Sequence, residues 1–219
     1  SLSSNVILRR SNRFMDLRQR IQAGELGTIY AIEAEYNYGR IHKLTDGWRG
    51  EIDFYSVFLG GGIHMVDLIR WLTGAEVERV TAMGNGLSTA HTSFRHPDYV
   101  CALLQLNNGA HAKVSANFGC VRPHFHGLRV YGTRGTFVND RPDAWLFRHR
   151  ESEELPEVIQ SDYPGCTKGE LLDSFLDALA SQGNEPVDAR EVFRSLAVCL
   201  AVEQALHSGN PEPVPTIFE

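Results

Sequence analysis

Apolar positions recur with helical spacing near both ends of the chain and alternate with polar positions between those ends. Spacings of three and four residues predict a helix over residues 11–23 that stops at Gly24. Strict alternation over residues 27–38 then predicts a strand. A loop rich in glycine, arginine, histidine and tryptophan follows, and a second helix is predicted over residues 61–72.

The middle of the chain consists of short alternating or apolar runs separated by turn residues. Strands are predicted over residues 77–83, 99–106, 110–117, 128–131, 135–138 and 144–147. The turns at 107–109 and 132–135 contain residues that tolerate positive φ, so tight hairpins join neighbouring strands, which must then be antiparallel. Because both faces of the strand at 99–106 are largely apolar, we expect both faces of the sheet to be covered.

Two further helices close the chain. The first begins with the capping box Thr167-x-x-Glu170 and stops near Gly183, and the second begins with Asp188-x-x-Glu191. Helices at both ends, with a run of hairpin strands between them, indicate an α+β domain built on one large, open, mostly antiparallel sheet.

Composition excludes several function classes. The chain has 219 residues and a formal net charge of −6, which argues against a nucleic-acid-binding surface. Its apolar stretches are too short for a membrane span, and its first residues do not have the pattern of a signal peptide. The cysteines are far apart in sequence, so we expect reduced thiols in a cytoplasmic protein. They are Cys101, Cys120, Cys166 and Cys199.

The most specific candidate for catalysis lies in the segment 60–72. A helix here is apolar nearly all round, which is typical of a buried helix, and His64 and Asp67 lie on its one polar stripe. In the first turn, the helix dipole favours a neutral His64 ring that can accept a proton, whereas Asp67 could orient the ring and would favour its charged form. The direction of the His64 pKa therefore stays open. We expect Gly61 and Gly62 to let a substrate or cofactor approach the backbone; a hydrogen-bonded core histidine is the alternative.

Two other groups of side chains are candidates for substrate binding. A loop cluster suits sugars, because tryptophan offers a flat apolar face and arginine a fork of donors; a surface loop with a packed tryptophan is the alternative. This cluster consists of Tyr38, Arg40, His42, Trp48 and Arg49. His124 and His126 share one face of an extended segment, and we expect one of them to face the substrate. Zinc binding with Cys120 is the alternative, but it needs a further ligand, so we predict no metal site.

Four segments of the chain together resemble one known family. The segment GGGIHMVDLIRWLTG at residues 60–74 is similar to the C-terminal domain of the glucose–fructose oxidoreductase / inositol dehydrogenase / MocA family. Segments 24–29, 47–49 and 131–136 match the same family in order and spacing. The resemblance spans essentially the whole chain.

The resemblance implies the C-terminal part of an NAD- or NADP-dependent dehydrogenase of sugars, cyclitols or related polyols. A Rossmann domain would bind the cofactor, and the sequence has no Gly-x-Gly-x-x-Gly between a strand and a helix that could do so here. Residues 1–12 would form the exit segment from that domain. Residues 13–219 would form the substrate-binding and oligomerisation domain, with helices on one face of the sheet and a partner subunit on the other.

The resemblance also assigns roles. The catalytic histidine of the family maps onto His64, while many relatives carry an aspartate where this chain has Gly60. We expect the chain to be inactive alone and residues 5–8 to be poorly anchored without a Rossmann sheet beside them. A non-catalytic binding or assembly module on the same scaffold is the alternative function, and Gly60 is its best support.

Overall fold

The computed structural model describes residues 4–151, 153–165, 169–181 and 188–217. The helices are α1 (Asn12–Gln22), α2 (His42–Thr45), α3 (Ile63–Thr73), α4 (Glu170–Ser181) and α5 (Ala189–Ser208), with 3₁₀ turns at Ile7–Arg10 and Trp48–Gly50 and a π-helical segment at Phe58–Gly62. The strands are β1 (Ile29–Asn37), β2 (Val77–Asn85), β3 (Tyr99–Leu106), β4 (His111–Asn117), β5 (Phe125–Gly132), β6 (Thr136–Asn139), β7 (Ala144–Phe147), β8 (Glu157–Ile159) and β9 (Glu212–Pro213). In the described part of the chain, no helix is long and apolar enough to cross a membrane.

The strands form one sheet in the order β8-β7-β6-β5-β1-β4-β3-β2-β9. Strands β1 and β4 run parallel, and every other neighbouring pair in this sheet is antiparallel. The predicted α+β class with a large, mostly antiparallel sheet is therefore confirmed. The central place of β1 between β4 and β5 was not predicted, because hairpin turns relate only strands that are neighbours in sequence.

The two faces of the sheet differ strongly in burial. On β1, Ile32, Ala34 and Tyr36 alternate into the core, and α3 and α5 pack on that side. On the opposite face, the side chains of Met83 and Leu103 are 78% and 60% exposed. The expectation that both faces are covered holds within this chain for one face, and the cover of the other face by a partner subunit stays a prediction. Helices cover one face, and the apolar residues of the other face stay open.

Charged side chains cross the middle of this open face. Glu33 of β1 forms an ion pair with Lys113 of β4 at 3.6 Å and another with Arg129 of β5 at 3.2 Å. All three side chains are between a third and a half exposed, so these pairs add little stability. The open face thus has a charged band on its central strands and apolar residues on β2 and β3.

The segment before α1 is packed into the domain. Leu8 is 2% exposed and belongs to the main core, and Val6 is 5% exposed against Leu171 of α4. The expectation that residues 5–8 are poorly anchored is therefore wrong for Val6 and Leu8. The reason is that this domain's own helices supply the apolar partners, so a neighbouring sheet is not needed to bury these side chains.

Several local features of the sequence behave as expected. Gly24, after α1, and Gly74, after α3, adopt positive φ of 73° and 66°. The Asp188 side chain accepts a hydrogen bond from the Glu191 amide and so caps α5. The thiols of Cys101, Cys120 and Cys199 are free. Cys166, Thr167 and Gly183 lie outside the described residues.

Candidate functional site

The helix that carries His64 begins earlier than the sequence suggested. The chain is already helical at Val57, passes through the π-helical segment Phe58–Gly62 and continues as α3. The Ser56 hydroxyl accepts a hydrogen bond from the Leu59 amide at 3.0 Å and satisfies one of the free amides at this end. His64 therefore lies well inside the helix, and the argument from the dipole of a first turn is wrong.

The glycines ahead of α3 serve internal packing. A Cβ on Gly61 would lie 2.5 Å from the Tyr36 ring, and a Cβ on Gly62 would lie 2.9 Å from the Phe58 ring. Both glycines are buried, so the expectation that Gly61 and Gly62 open the backbone to a substrate or cofactor is wrong. Gly60 is the exposed one of the three.

The His64 ring is mostly enclosed by protein. It stacks on Tyr36 with ring centroids 5.7 Å apart and an interplanar angle of 16°. Its Nδ1 atom is buried and has no hydrogen-bond partner among the described residues. Burial lowers the pKa of His64, and the charge of Asp67 opposes that shift without reversing it. The ring is therefore neutral at pH 7, as a proton acceptor needs to be.

Asp67 pairs with Arg9 and not, as expected, with His64. Its carboxylate accepts from Arg9 Nε at 2.9 Å and from Arg9 Nη2 at 2.6 Å, and Asp67 is 1% exposed. The Ser195 hydroxyl lies 3.5 Å from the same carboxylate. The expected hydrogen bond that would orient His64 is absent, because both carboxylate oxygens turn toward Arg9. Asp67 acts on His64 only through its charge.

Five rings contact that of Tyr36; Tyr36 and the four polar residues among these neighbours, all but Phe118, are called the ring cluster. Besides Tyr36 they are Tyr38, His64, His124 and His126. The ring centroids of Tyr38, His124 and His126 lie 5.9, 5.1 and 5.3 Å from that of Tyr36. His124 and His126 are 4.7 Å apart. Strand β1, helix α3 and the start of β5 thus bring the predicted residues together at one end of the sheet.

His126 is held in a fixed orientation by Tyr163. The Tyr163 hydroxyl accepts from the His126 amide at 3.0 Å and lies 2.5 Å from His126 Nδ1. Burial, and then the nearby rings of His124 and His64, place the pKa of His126 well below its usual value. The roles in the Nδ1 contact depend on the tautomer: when the phenol donates to Nδ1, the neutral ring carries its proton on Nε2, which is then a hydrogen-bond donor.

The loop cluster joins the ring cluster through aromatic contacts. The Arg49 guanidinium lies 4.6 Å from the centre of the Trp48 ring, which is 57% exposed. Arg49 Nε donates to the Tyr55 hydroxyl at 2.9 Å. Tyr55 in turn contacts Phe118, whose ring lies 5.8 Å from that of Tyr36.

The remaining loop residues differ in their placement. The Arg40 guanidinium lies 5.2 Å from the Tyr38 ring, so Arg40 borders the ring cluster. His42 begins the short helix α2 and is exposed. Tyr55, Phe118 and Tyr163 stand in no recognisable motif, so the sequence did not predict them as site residues. Tyr36 could have been identified, since it lies on the buried face of β1, two residues before Tyr38.

No metal site is evident within the described ranges. No group of three or more histidine, cysteine, aspartate or glutamate side chains is placed there to hold an ion. The Cys120 thiol lies 3.5 Å from the Asn117 carbonyl. Burial raises the pKa of this thiol, which disfavours the thiolate that zinc binding requires.

Two curated proteins are similar to this chain over most of its length. The chain is 23% identical over 210 residues to the uncharacterized oxidoreductase YrbE of Bacillus subtilis, a match that covers 90% of this chain and 58% of YrbE. It is 26% identical over 172 residues to the rhizopine catabolism protein MocA of Rhizobium meliloti, covering 74% of this chain and 51% of MocA. The chain thus spans about half the length of the curated relatives it matches.

Solved structures share the fold. An oxidoreductase of Desulfitobacterium hafniense superimposes with a TM-score of 0.81 at 21% identity, covering 97% of this chain and 64% of that one. Levoglucosan dehydrogenase in complex with NADH and levoglucosan gives 0.78 at 20% identity, covering 97% and 66%. The sequence profile of the GFO/IDH/MocA C-terminal domain matches residues 14–138, more than half of the chain. The chain therefore belongs to the GFO/IDH/MocA family and carries its C-terminal domain.

Proposed function

We propose that this chain is the substrate-binding part of an NAD- or NADP-dependent oxidoreductase that acts on a secondary alcohol, or the corresponding ketone, of a sugar, cyclitol or related polyol. The observation that carries the proposal is the neutral His64 ring within a cluster of hydrogen-bonding aromatic residues. Named relatives support the substrate class. They include a myo-inositol dehydrogenase, Hyg17 of Streptomyces leeuwenhoekii, and a scyllo-inositol dehydrogenase from Lactobacillus casei solved with NAD(H) and scyllo-inositol.

His64 is the proposed general acid and base. A neutral imidazole accepts the hydroxyl proton as the alcohol is oxidised and returns a proton to the oxygen in the reverse direction. Stacking on Tyr36 fixes the plane of the ring, and burial keeps the ring neutral before the substrate arrives. The nicotinamide cofactor, when bound, accepts or supplies the hydride.

The other predicted residues are proposed to bind the polyol. His126 offers an Nε2 proton as a donor, and His124 and Tyr38 line the same cluster. Trp48 presents an exposed apolar face of the kind on which sugar rings pack, and Arg49 lies over it. Arg40 lies at the Tyr38 side and offers further donors to hydroxyl groups.

Cofactor binding is assigned to a Rossmann domain of the parent enzyme, with residues 1–12 as the exit segment from it. Gly61 and Gly62 are closed off by aromatic rings, so this chain offers the dinucleotide no glycine-lined approach there. The chain alone is then expected to be inactive. We further propose a cytoplasmic enzyme, and a homodimer that forms through the open sheet face with its exposed Met83 and Leu103.

The test is His64→Ala in the parent enzyme. Because a positioned acid–base group contributes about 10²–10⁴-fold, kcat should fall by that factor while the dissociation constant of the cofactor barely changes. His207→Ala is the matched control, since His207 is an exposed histidine near the end of α5 and away from the open sheet face. Unchanged turnover in a folded His64→Ala enzyme would refute the assignment. A parent with no turnover on any polyol would instead favour the non-catalytic module.

A further inference from the structure

The Tyr55 hydroxyl occupies the space in which a side chain at position 60 would lie. A Cβ on Gly60 would stand 2.5 Å from the Tyr55 oxygen and 3.1 Å from its Cζ. Gly60 itself is exposed, whereas Tyr55 is 9% exposed. The Tyr55 oxygen therefore lies beside an exposed glycine, one helical turn before His64.

The hydrogen bonding of this phenol is incomplete on one side. Arg49 Nε donates to the Tyr55 oxygen at 2.9 Å, and an arginine can only donate. The phenol proton must therefore go to a different acceptor, and none of the described residues accepts it. Burial raises the pKa of Tyr55 although Arg49 opposes the shift, so the phenol keeps its proton at neutral pH.

The ring is fixed by its neighbours. Trp48, Phe94 and Phe118 contact it edge-on, with centroids 6.1, 6.1 and 6.4 Å away. Since the ring is packed on these sides and the oxygen is bound to Arg49, the direction of the hydroxyl is set before any ligand binds. A donor with a fixed direction and no protein acceptor selects for an oxygen atom at one place in a ligand.

We propose that the Tyr55 hydroxyl is a substrate-binding donor, held by Arg49 over the open face of Gly60, and that it gives its hydrogen bond to an oxygen of the bound polyol. A Cβ at position 60 would displace this hydroxyl, so glycine at this position leaves room for it. The proposal rests on the proposed function for the identity of the ligand.

The first experiment does not depend on activity. A crystal structure of this chain, free and soaked with myo-inositol, shows which acceptor lies within hydrogen-bond distance of the Tyr55 hydroxyl. We expect no protein acceptor within hydrogen-bond distance of the hydroxyl in the free form, and a ligand oxygen there after soaking. A protein acceptor in the free form, or inositol bound away from Tyr55 on the ring cluster, would overturn the proposal.

The second experiment uses the parent enzyme with its preferred polyol. Tyr55→Phe should lower kcat/KM by about 10- to 100-fold, the usual cost of leaving one polar partner unsatisfied. The melting temperature and the NADH dissociation constant should stay close to wild type. Tyr30→Phe removes the same atom from an exposed tyrosine away from the ring cluster and should change none of these values.

A double-mutant cycle separates binding from general damage. Gly60→Ala should reduce kcat/KM because its methyl group displaces the hydroxyl, and most of that loss should vanish in the Tyr55→Phe background. If the wild-type parent oxidises a polyol and Tyr55→Phe does so equally well, the proposal is wrong while the proposed function stands. If the parent oxidises no polyol, the proposed function is wrong, and the crystal structures then decide by themselves whether a ligand oxygen is the acceptor of the Tyr55 hydroxyl.

Discussion

Replacing Asp67 by asparagine should destabilise the domain strongly, even though the change is nearly isosteric. The Arg9–Asp67 pair is buried on both sides, with side-chain exposures of 9% and 1%. Asparagine keeps one acceptor oxygen and turns an amide donor toward a guanidinium that can only donate. The substitution therefore removes one of two hydrogen bonds and leaves a buried cation short of its counter-charge.

The magnitude follows from what remains around Arg9. Breaking a buried ion pair by removing one partner costs about 3–5 kcal/mol. Glu191 still accepts a hydrogen bond from Arg9 at 2.9 Å and is 30% exposed. Its carboxylate therefore still balances part of the positive charge of Arg9. We therefore expect a loss near the lower end, about 3 kcal/mol. For a domain of this size that corresponds to a fall of roughly 6–12 °C in melting temperature.

The assay is equilibrium unfolding in urea, followed by tryptophan fluorescence and circular dichroism on the same samples. Asp16→Asn is the matched control, because Asp16 pairs with Arg20 on the surface of α1, away from the open sheet face, and should lose at most about 1 kcal/mol. The midpoint of Asp67→Asn should shift at constant slope. A loss no larger than that of Asp16→Asn would refute the conclusion that the buried pair, and not its charge effect on His64, is the main role of Asp67.

Two further predictions concern pH and assembly. Burial lowers the pKa values of His64 and His126 in the folded chain, so the unfolded chain binds more protons below about pH 6.5. Stability should therefore fall as the pH drops from about 7 to 5, by up to about 1.4 kcal/mol per pH unit for each ring; urea midpoints that do not change would contradict this. The chain should form a dimer in light scattering at micromolar concentration, and Leu103→Glu should make it monomeric; a wild-type monomer would count against the interface.

Local patterns in the sequence were sufficient to predict most of the strands. The predicted bounds of β3 and β7 match the structure, because alternation and flanking turn residues define them. The two-residue strand β9 and the three-residue strand β8 were not predicted, since such short runs carry no periodicity. The position of β1 in the sheet depends on partners distant in sequence, which no local pattern encodes.

In the candidate site, too, local patterns predicted which residues carry the site but not which distant residues they contact. Alternation along β1 and the spacing of His124 and His126 predicted side chains that the fold does bring together. The polar stripe of α3 was also predicted, but spacing cannot say which distant residue a side chain meets. In the structure, Asp67 therefore pairs with Arg9 and not with His64. The three glycines suggested a helix start, whereas two of them are required by the rings of Tyr36 and Phe58.

The central place of β1 has a consequence for how the chain acquires its structure during synthesis. Ala31 pairs with His111 on one side and with Tyr131 on the other, so both partners of this strand leave the ribosome long after it. Until they arrive, Ile32 and Ala34 can pack only against α3, and β1 has no neighbouring strand on either side. Such non-local pairing slows folding and exposes apolar surface in the nascent chain, so the first half of this domain should depend on chaperones until β5 has been made.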